Sequence, residues 1–200
     1  PNTSSLAPHI VLRELGLPFD LVRVNNQTKL MEDGRDYREI NLKGYVAALA
    51  LEDGTIITEG PVILLYLASL APDSPLAVTP GSLPCIRLLE WLNFLATELH
   101  AGMSPLFNRT LPQQVRATFE ARLFRRFDYL EATLQDNLFL LGEAMSIADI
   151  YLYVLCGGCN VFHIDLAGWT ALDCHHPPIH ARPAAGAAQS AAKLMPRLHL

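Results

Sequence analysis

A proline-rich segment divides the chain into two parts with different sequence patterns. Residues 71–83 contain three prolines and one glycine, a composition typical of a linker because proline and glycine interrupt helices and strands. Before this segment, helical and alternating apolar patterns follow one another, whereas after it the apolar patterns are helical. The sequence therefore predicts a small α/β domain over residues 1–72, a linker over 73–82 and an all-helical domain over 83–200.

The first part mixes helical and strand patterns. Residues 6–15 carry apolar side chains at helical spacing, and Gly16 follows them as a helix-ending residue. Residues 19–24 alternate in the manner of a strand, and an apolar run follows at residues 46–51. Because a β-α-β unit needs a strand before its helix, we infer that the chain begins just after a missing strand.

Turn residues indicate a hairpin and the helix that follows it. Residues 52–54 form a Glu-Asp-Gly turn, so residues 46–51 and 55–58 are predicted to pair as two strands. Pro61 suits the first turn of a helix, where its missing N–H would be unsatisfied anyway. A helix is therefore predicted to begin around Gly60.

The longer patterns after the linker are helical. They cover residues 83–102, 113–134 and 146–161. The alanine-rich residues 171–200 predict one or two further short helices. Ser146 and Asp149 have the spacing of a capping box, for which we expect a structural role.

The composition excludes several classes of function. Half of the residues are hydrophobic, which allows a substantial core. The formal net charge is −5, and a mildly acidic chain lacks the basic surface that nucleic-acid binding requires. No apolar run approaches the roughly 18 residues of a transmembrane helix, so no membrane association is expected. Four cysteines in 200 residues are too few for a disulfide scaffold, which favours the reducing cytoplasm.

Six blocks of residues carry a further indication. In chain order they are Ser5-Leu6-Ala7-Pro8-His9-Ile10, Asn41-Leu42-Lys43-Gly44-Tyr45-Val46, Asp53-Gly54-Thr55 with Thr58-Glu59-Gly60, Glu90-Trp91-Leu92-Asn93-Phe94 with Thr97-Glu98-Leu99-His100, Ser146-Ile147-Ala148-Asp149 and Arg182-Pro183-Ala184. Together, over almost the whole chain, they resemble the glutathione transferase family, most closely its bacterial beta class. The resemblance implies a thioredoxin-like N-terminal domain, an all-helical C-terminal domain and a homodimer. It also implies that glutathione is a co-substrate, that no further cofactor is used and that the protein acts in detoxification.

The resemblance also implies which residues bind glutathione. Glu59 and the N–H of Gly60 lie at the start of a predicted helix, where free N–H groups and the helix dipole attract an anion. By the resemblance, these two residues hold the charged γ-glutamyl end of glutathione. Val46 pairs with its cysteinyl backbone, and Lys29 meets its glycine end. The alternatives are that Glu59 only stabilises the start of the helix and that Lys29 is a solvated loop lysine.

The loop before the hairpin departs from the family pattern. The family has proline, in a cis peptide bond, where this chain has Ala47. A cis bond before a residue other than proline costs about 2.5–4 kcal/mol. We therefore expect the Val46–Ala47 bond to be trans and the loop to be displaced, which would weaken glutathione binding.

A second departure lies where the family activates the thiol of glutathione. The beta class has a cysteine there, and this chain has Ser4, followed by Ser5. A hydroxyl cannot form a mixed disulfide, but it can donate a hydrogen bond to a thiolate that the helix N-terminus also stabilises. The alternative is that either serine is only an N-cap. His100 matches a family histidine near the sulfur, which could stabilise or deprotonate it; the alternative is a packing role.

A glycine pair lies in the third long helical stretch, between Cys156 and Cys159. A Cys-x-x-Cys pair can bind metal or act in redox chemistry, but the sequence has no second such pair. The family's acceptor pocket lies here, with a tryptophan at the position of Gly158, so we predict a pocket widened by Gly157 and Gly158. Residues 173–180 contain one Asp, one Cys and three His. We expect neither a metal site nor a redox pair in these two segments.

The sequence therefore favours an enzyme that conjugates the thiolate of glutathione to small, electrophilic, hydrophobic acceptors. Two alternatives use the same fold without catalysis: a regulatory protein that binds another protein, and a carrier that holds a ligand in the widened pocket. The departures at Ser4, at Ala47 and at Ala101, where the family usually has lysine, all fall near the glutathione site, as relaxed selection on that site would produce.

Overall fold

The structure is a computed structural model that describes residues 4–194, with side chains described as far as residue 192. Its helices and strands, in chain order, are α1 (Leu6–Glu14), β1 (Ala48–Ala50), β2 (Ile56–Thr58), α2 (Gly60–Ser69), α3 (Leu83–Phe94), α4 (Ala101–Met103), α5 (Gln113–Gln135), α6 (Ile147–Cys159), α7 (Thr170–His180) and α8 (Pro183–Leu194). Short 3-10 helices span Tyr37–Glu39, Ser104–Phe107 and Asn160–Phe162, and a π-helical segment, Leu95–His100, joins α3 to α4. No helix in the described part is long and apolar enough to cross a membrane.

Local turn chemistry sets the limits of the first helix and the hairpin, as the sequence predicts. Gly16 follows α1 with φ 63°, a left-handed conformation that favours glycine, and its N–H donates to the carbonyl of Arg13 at 3.2 Å. Gly54, with φ 85°, turns the chain between β1 and β2. These strands pair antiparallel with Leu49 opposite Ile57. The predicted helix and hairpin are therefore confirmed.

The predicted strand over residues 19–24 is wrong. Within the described residues this segment makes one isolated bridge, between Val24 and Met31, and Leu21 and Val22 are 37% and 59% exposed. An alternating pattern favours an extended chain, but a strand also needs a neighbour whose N–H and C=O groups pair with its own. The segment therefore remains irregular.

The helices predicted in the second part are confirmed, with one interruption. α5 and α6 cover two of the predicted stretches, and α7 and α8 are the short helices expected near the end. The stretch predicted over residues 83–102 is divided because its backbone widens into the π-helical segment Leu95–His100. Such a segment inside a helix is frequently found at a functional site.

The start of α6 is fixed by a buried carboxylate. The Ser146 hydroxyl oxygen accepts from the N–H of Ala148 at 3.2 Å, and Asp149 accepts from the N–H of Ser146 at 2.8 Å, which is the predicted capping box. The Asp149 side chain is fully buried. It also accepts from the N–H of Leu140 at 2.8 Å and lies 3.0 Å from Nε2 of His175. Asp149 therefore joins the loop before α6 and the helix α7 to one point.

One continuous hydrophobic core joins the two parts of the chain. Ile10 of α1, Ile63 of α2 and Leu152 of α6 are all fully buried, and each such side chain contributes about 1.5–3 kcal/mol. α6 contacts α1, α2 and the π-helical segment. It is therefore the element that holds the N-terminal helices beside the helical part.

Candidate functional site

Ser4 and Ser5 lie at the start of α1. The carbonyl of Ser4 accepts from the N–H of Ala7 at 3.2 Å, and that of Ser5 accepts from the N–H of His9 at 3.4 Å. Ser5 occupies the N-cap position, but its side chain makes no capping hydrogen bond. Ser4 lies one residue before the cap. The structure therefore does not use the Ser5 hydroxyl as a helix cap, which was one of the two alternatives considered for the serines.

Glu59 immediately precedes α2, and its carbonyl accepts from the N–H of Ile63 at 2.9 Å. Its φ is 70°, a conformation that is uncommon for a residue with a side chain and that is concentrated at functional sites. Its carboxylate pairs with the ammonium group of Lys43, which also donates to Oγ1 of Thr58 at 3.0 Å. The Glu59 side chain is 61% exposed. The carboxylate is therefore accessible and already oriented to bind an ammonium group.

The loop before β1 is held by two hydrogen bonds to one carbonyl. The carbonyl of Tyr45 accepts from the hydroxyl of Tyr37 at 3.0 Å and from Nδ2 of Asn41 at 2.8 Å. The peptide bond that follows, Val46–Ala47, is cis, so the expected trans bond is wrong. That expectation considered the preference of an isolated peptide bond, and the contacts of a folded loop override such a preference.

Lys29 lies against this loop. Its Cδ and Cε are each 3.7 Å from the position that a Cβ on Gly44 would take. Gly44 has φ 67°, which favours glycine. Lys29 itself has φ 63°, which is uncommon for a residue with a side chain. Lys29 and the loop that contains Val46 are therefore neighbours.

His100 ends the π-helical segment and contacts α6. Its Nδ1 lies 2.9 Å from Oη of Tyr151, and the two rings meet edge to face with centroids 6.1 Å apart. Partial burial lowers the pKa of His100 below its ordinary value, so the imidazole is neutral near neutral pH. The residue as a whole is exposed.

The charge of Glu59, in the N-terminal part, acts on the tyrosine that contacts His100. Tyr151 is 1% exposed, and burial, together with the negative charge of Glu59, raises the pKa of its hydroxyl. A charge shifts a pKa in this way only from nearby. The charge of Glu59 therefore reaches the hydroxyl of Tyr151, which contacts His100, and we call the region around these three residues the cleft.

Gly157 and Gly158 lie near the end of α6, and a Cβ added to either would meet nothing within 4 Å. Tyr151, Gly158 and Phe162 are spaced at i, i+7 and i+11, which places them on one face of the helix and its extension. The ring of Phe162 contacts that of Phe107 with centroids 4.7 Å apart, and Phe107 is 65% exposed. The open position at Gly158 therefore lies on the helix face between Tyr151 and Phe162, which contacts the exposed Phe107.

Cys156 and Cys159, which flank the glycines, are buried free thiols. Burial raises the pKa of the Cys156 thiol, and it raises the pKa of Cys159 to about 12. Because the thiolate is the form that attacks and that binds metal, both side chains behave as apolar core residues.

The histidines of residues 173–180 are divided between two contacts. His175 is buried against the start of α6. Nδ1 of His180 lies 2.9 Å from Oη of Tyr153, and the ring of His176 lies over that of Tyr153 with centroids 4.4 Å apart. Within residues 4–194, no group of three or more His, Cys, Asp or Glu side chains could hold a metal ion.

Two cavities of about 380 Å³ lie away from the cleft. One lies between α1 and α8, beside Arg13 and Phe19. The other lies beside Leu76 and is bordered by the ion pair of Arg182 with Glu14, whose atoms are 2.6 Å apart. Neither cavity is lined by a residue of the cleft.

The sequence alone does not identify Lys43 or Tyr151 as residues of the site. Lys43 reaches Glu59 from a distant loop, and no sequence pattern signals that pairing. Tyr151 belongs to a helix that is apolar on all sides, so its position does not show that it faces His100. The sequence could point to Tyr151 only through its chemistry, because a buried tyrosine hydroxyl usually needs a hydrogen-bond partner.

Comparisons with known proteins match both parts of the chain to one family. Residues 4–70 match the family model of the glutathione S-transferase N-terminal domain, and residues 94–175 match that of the glutathione S-transferase C-terminal domain. The chain is 40% identical over 168 residues to glutathione S-transferase GstA of Escherichia coli O157:H7, and the alignment covers 84% of each chain.

Two solved structures also resemble the chain closely. One is a sphingomonad glutathione S-transferase complexed with glutathione, with a TM-score of 0.93 and 40% identity over 97% of this chain and 96% of that chain. The other is the bacterial beta class glutathione S-transferase of Sphingomonas chungbukensis, with a TM-score of 0.91 and 38% identity over 96% of this chain and 95% of that chain.

Proposed function

The chain belongs to the glutathione S-transferase family, with a thioredoxin-like N-terminal domain and an all-helical C-terminal domain, and we propose that it conjugates the thiolate of glutathione to small, hydrophobic electrophiles. The observation that carries this proposal is the exposed carboxylate of Glu59 at the start of α2, which already binds an ammonium group. The charge of this carboxylate, which suits the ammonium group of glutathione, acts on Tyr151, and Tyr151 contacts the histidine that we propose acts on the sulfur.

Glu59 and the N–H of Gly60 hold the γ-glutamyl end of glutathione. The Glu59 carboxylate now binds the ammonium group of Lys43, and the α-ammonium group of glutathione replaces it in the complex. An exposed ion pair of this kind contributes at most about 1 kcal/mol, so the exchange costs little. The α-carboxylate lies at the start of α2, where free N–H groups and the helix dipole attract an anion. Val46 pairs with the cysteinyl backbone, and Lys29 meets the glycine carboxylate.

The thiol is activated at the start of α1. Ser4 or Ser5 donates a hydrogen bond to the sulfur, and the N-terminus of the helix adds partial positive charge that favours the thiolate. His100 acts on the same sulfur from the helical domain. The thiolate then forms a carbon–sulfur bond with the electrophile, whose leaving group departs with its bonding electrons.

The acceptor binds beside Gly157 and Gly158, where the structure has open space. Phe107 borders this space through its contact with Phe162 and is largely exposed. An exposed aromatic ring favours flat, apolar acceptors that can stack against it.

We further propose that the protein is a homodimer that acts in the cytoplasm, in detoxification. Leu83, Ile86 and Leu89 share one face of α3 and are 66%, 45% and 40% exposed, and association would cover such an apolar stripe. Sedimentation velocity tests the oligomeric state, and a monomer at every concentration would contradict the dimer.

The second candidate is a protein of the same fold that does not catalyse the reaction, either a protein binder or a ligand carrier. The Lys43–Glu59 pair favours it, because this pair neutralises the carboxylate within the chain. Ser4, in place of the family cysteine, is consistent with it as well.

Glutathione binding by calorimetry, together with a conjugation assay with chlorodinitrobenzene, separates these candidates. We expect binding tighter than millimolar and measurable turnover. No turnover with undetectable binding would overturn the proposal, and binding without turnover would favour the carrier.

Single Ser4→Ala and Ser5→Ala variants identify the serine that acts on the sulfur. Replacing the correct one is expected to lower turnover by about 10²–10⁴-fold, the range for a group that acts in the transition state, with little change in glutathione affinity. If both variants keep the full rate, the hydroxyl mechanism is wrong, and His100 or the helix dipole activates the thiol.

A further inference from the structure

The hydrogen bond between Tyr151 and His100 has a direction that the surroundings determine. Oη of Tyr151 and Nδ1 of His100 are 2.9 Å apart, and Tyr151 is 1% exposed. Within residues 4–194, His100 is the hydrogen-bond partner that the structure provides for this hydroxyl. A tyrosine hydroxyl has one hydrogen to donate, and leaving a buried donor unpaired costs about 1–3 kcal/mol. The hydroxyl of Tyr151 therefore donates to Nδ1.

The protonation of both groups supports this direction. Burial and the charge of Glu59 raise the pKa of Tyr151, so its hydroxyl keeps its hydrogen over the physiological range. Burial lowers the pKa of His100, so its ring carries one hydrogen near neutral pH. Because Nδ1 accepts from Tyr151, that hydrogen is on Nε2.

We propose that Tyr151 is a positioning residue, which holds His100 in the tautomer that presents an Nε2–H to the sulfur of glutathione. This inference rests on the proposed function, since it needs glutathione bound in the cleft. His100 then stabilises the thiolate by donating a hydrogen bond. His100 does not accept the proton of the thiol, because its Nε2 already carries a hydrogen. The thiol proton passes to solvent instead.

The Tyr151→Phe variant tests this role and keeps the packing of the ring. Without the hydroxyl, His100 is free to adopt either tautomer, and the thiolate loses part of its stabilisation. The ultraviolet absorbance of the thiolate in the binary complex reports the pKa of the bound thiol. We expect that pKa to rise by about one unit, with kcat/KM about tenfold lower at neutral pH and restored at alkaline pH. The KM for glutathione is expected to stay within about twofold, since Tyr151 acts through His100.

Tyr153→Phe is the matched control. Tyr153 is also buried on α6, and its Oη lies 2.9 Å from Nδ1 of His180, so this variant loses the same type of hydrogen bond on another face of the helix. We expect the pKa of the bound thiol and the pH profile to remain those of the unmodified protein. If Tyr151→Phe and Tyr153→Phe behave alike, the inference is wrong.

A direct measurement of the tautomer does not depend on activity. Imidazole nitrogen chemical shifts distinguish an Nε2–H ring from an Nδ1–H ring, and His100→Gln assigns the His100 signal by removing it. In the protein without glutathione we expect the Nε2–H form. An Nδ1–H form would overturn the inference even if the protein is an active transferase. If the Nε2–H form is found but glutathione does not bind, the proposed function fails and the geometry of the pair stands.

Discussion

The two ends of α6 differ in how completely neighbouring atoms surround them. At its start, the carboxylate of Asp149 is fully buried and accepts hydrogen bonds from Ser146 and Leu140. Near its end, Gly157 and Gly158 adjoin open space. The paired polar atoms at the start join α6 to the loop before it and to α7, and the end is where we propose that the acceptor binds. Under this proposal, one helix has a structural end and a ligand-binding end.

The largest expected effect is on stability, at the start of the helix. Asp149→Ala removes the acceptor for the N–H groups of Leu140 and Ser146. It also removes the partner of the imidazole of His175. Because buried donors would be left unpaired, we expect the free energy of unfolding to fall by about 3–5 kcal/mol, measured by urea denaturation. Asp20→Ala, at an exposed position, is the control and should change it by no more than about 0.5 kcal/mol. A loss below about 1 kcal/mol for Asp149→Ala would contradict the structural role of this end.

Removal of the hydroxyl group from the same capping box is expected to lower the free energy of unfolding by less. Ser146→Ala removes the acceptor for the N–H of Ala148 and should lower the free energy of unfolding by about 1–2 kcal/mol, without changing kcat/KM for the folded protein. Ser82→Ala is the matched comparison, because Ser82 caps α3 through the N–H of Cys85 at 3.3 Å in a less buried setting. A fall in kcat/KM for folded Ser146→Ala would show that this end of the helix also serves catalysis.

The smallest expected effect on stability is a gain, and it comes from a substitution near the end of α6. Gly158→Ala adds a Cβ to a helix where it meets nothing within 4 Å, so the free energy of unfolding should rise by about 0.5–1 kcal/mol. The same methyl group should raise the KM for a bulky acceptor and leave that for glutathione unchanged. Gly186→Ala in α8 also adds a Cβ in open space and should give the stability gain alone. Equal acceptor kinetics in both variants would place the acceptor elsewhere.

Local sequence chemistry predicts much of this fold. Gly16 ends α1 and Gly54 turns the hairpin because each residue takes a conformation that glycine favours, and both effects act within a few residues. Residues 19–24 have the pattern of a strand but form none, since a strand also needs a pairing partner, which the local pattern does not reveal. The π-helical interruption at Leu95–His100 also has no local signature in the sequence.

The residues of the candidate site also fall into two groups, those that the local sequence indicates and those that only a distant contact reveals. Glu59 was predictable because its position before a helix has a chemical meaning by itself. Lys43 and Tyr151 were not, because each becomes part of the site through a contact between distant segments. The cis bond at Val46–Ala47 likewise runs against the expectation from the isolated peptide.

The central claim is that the cleft around Glu59, Tyr151 and His100 lowers the pKa of the thiol of bound glutathione. The most direct test is to titrate the thiolate absorbance of the complex with the unmodified protein, at glutathione concentrations that calorimetry shows to be saturating. We predict a pKa at least one unit below the value of about 8.5 for an ordinary cysteine thiol. Saturable binding with an unshifted pKa would contradict the claim.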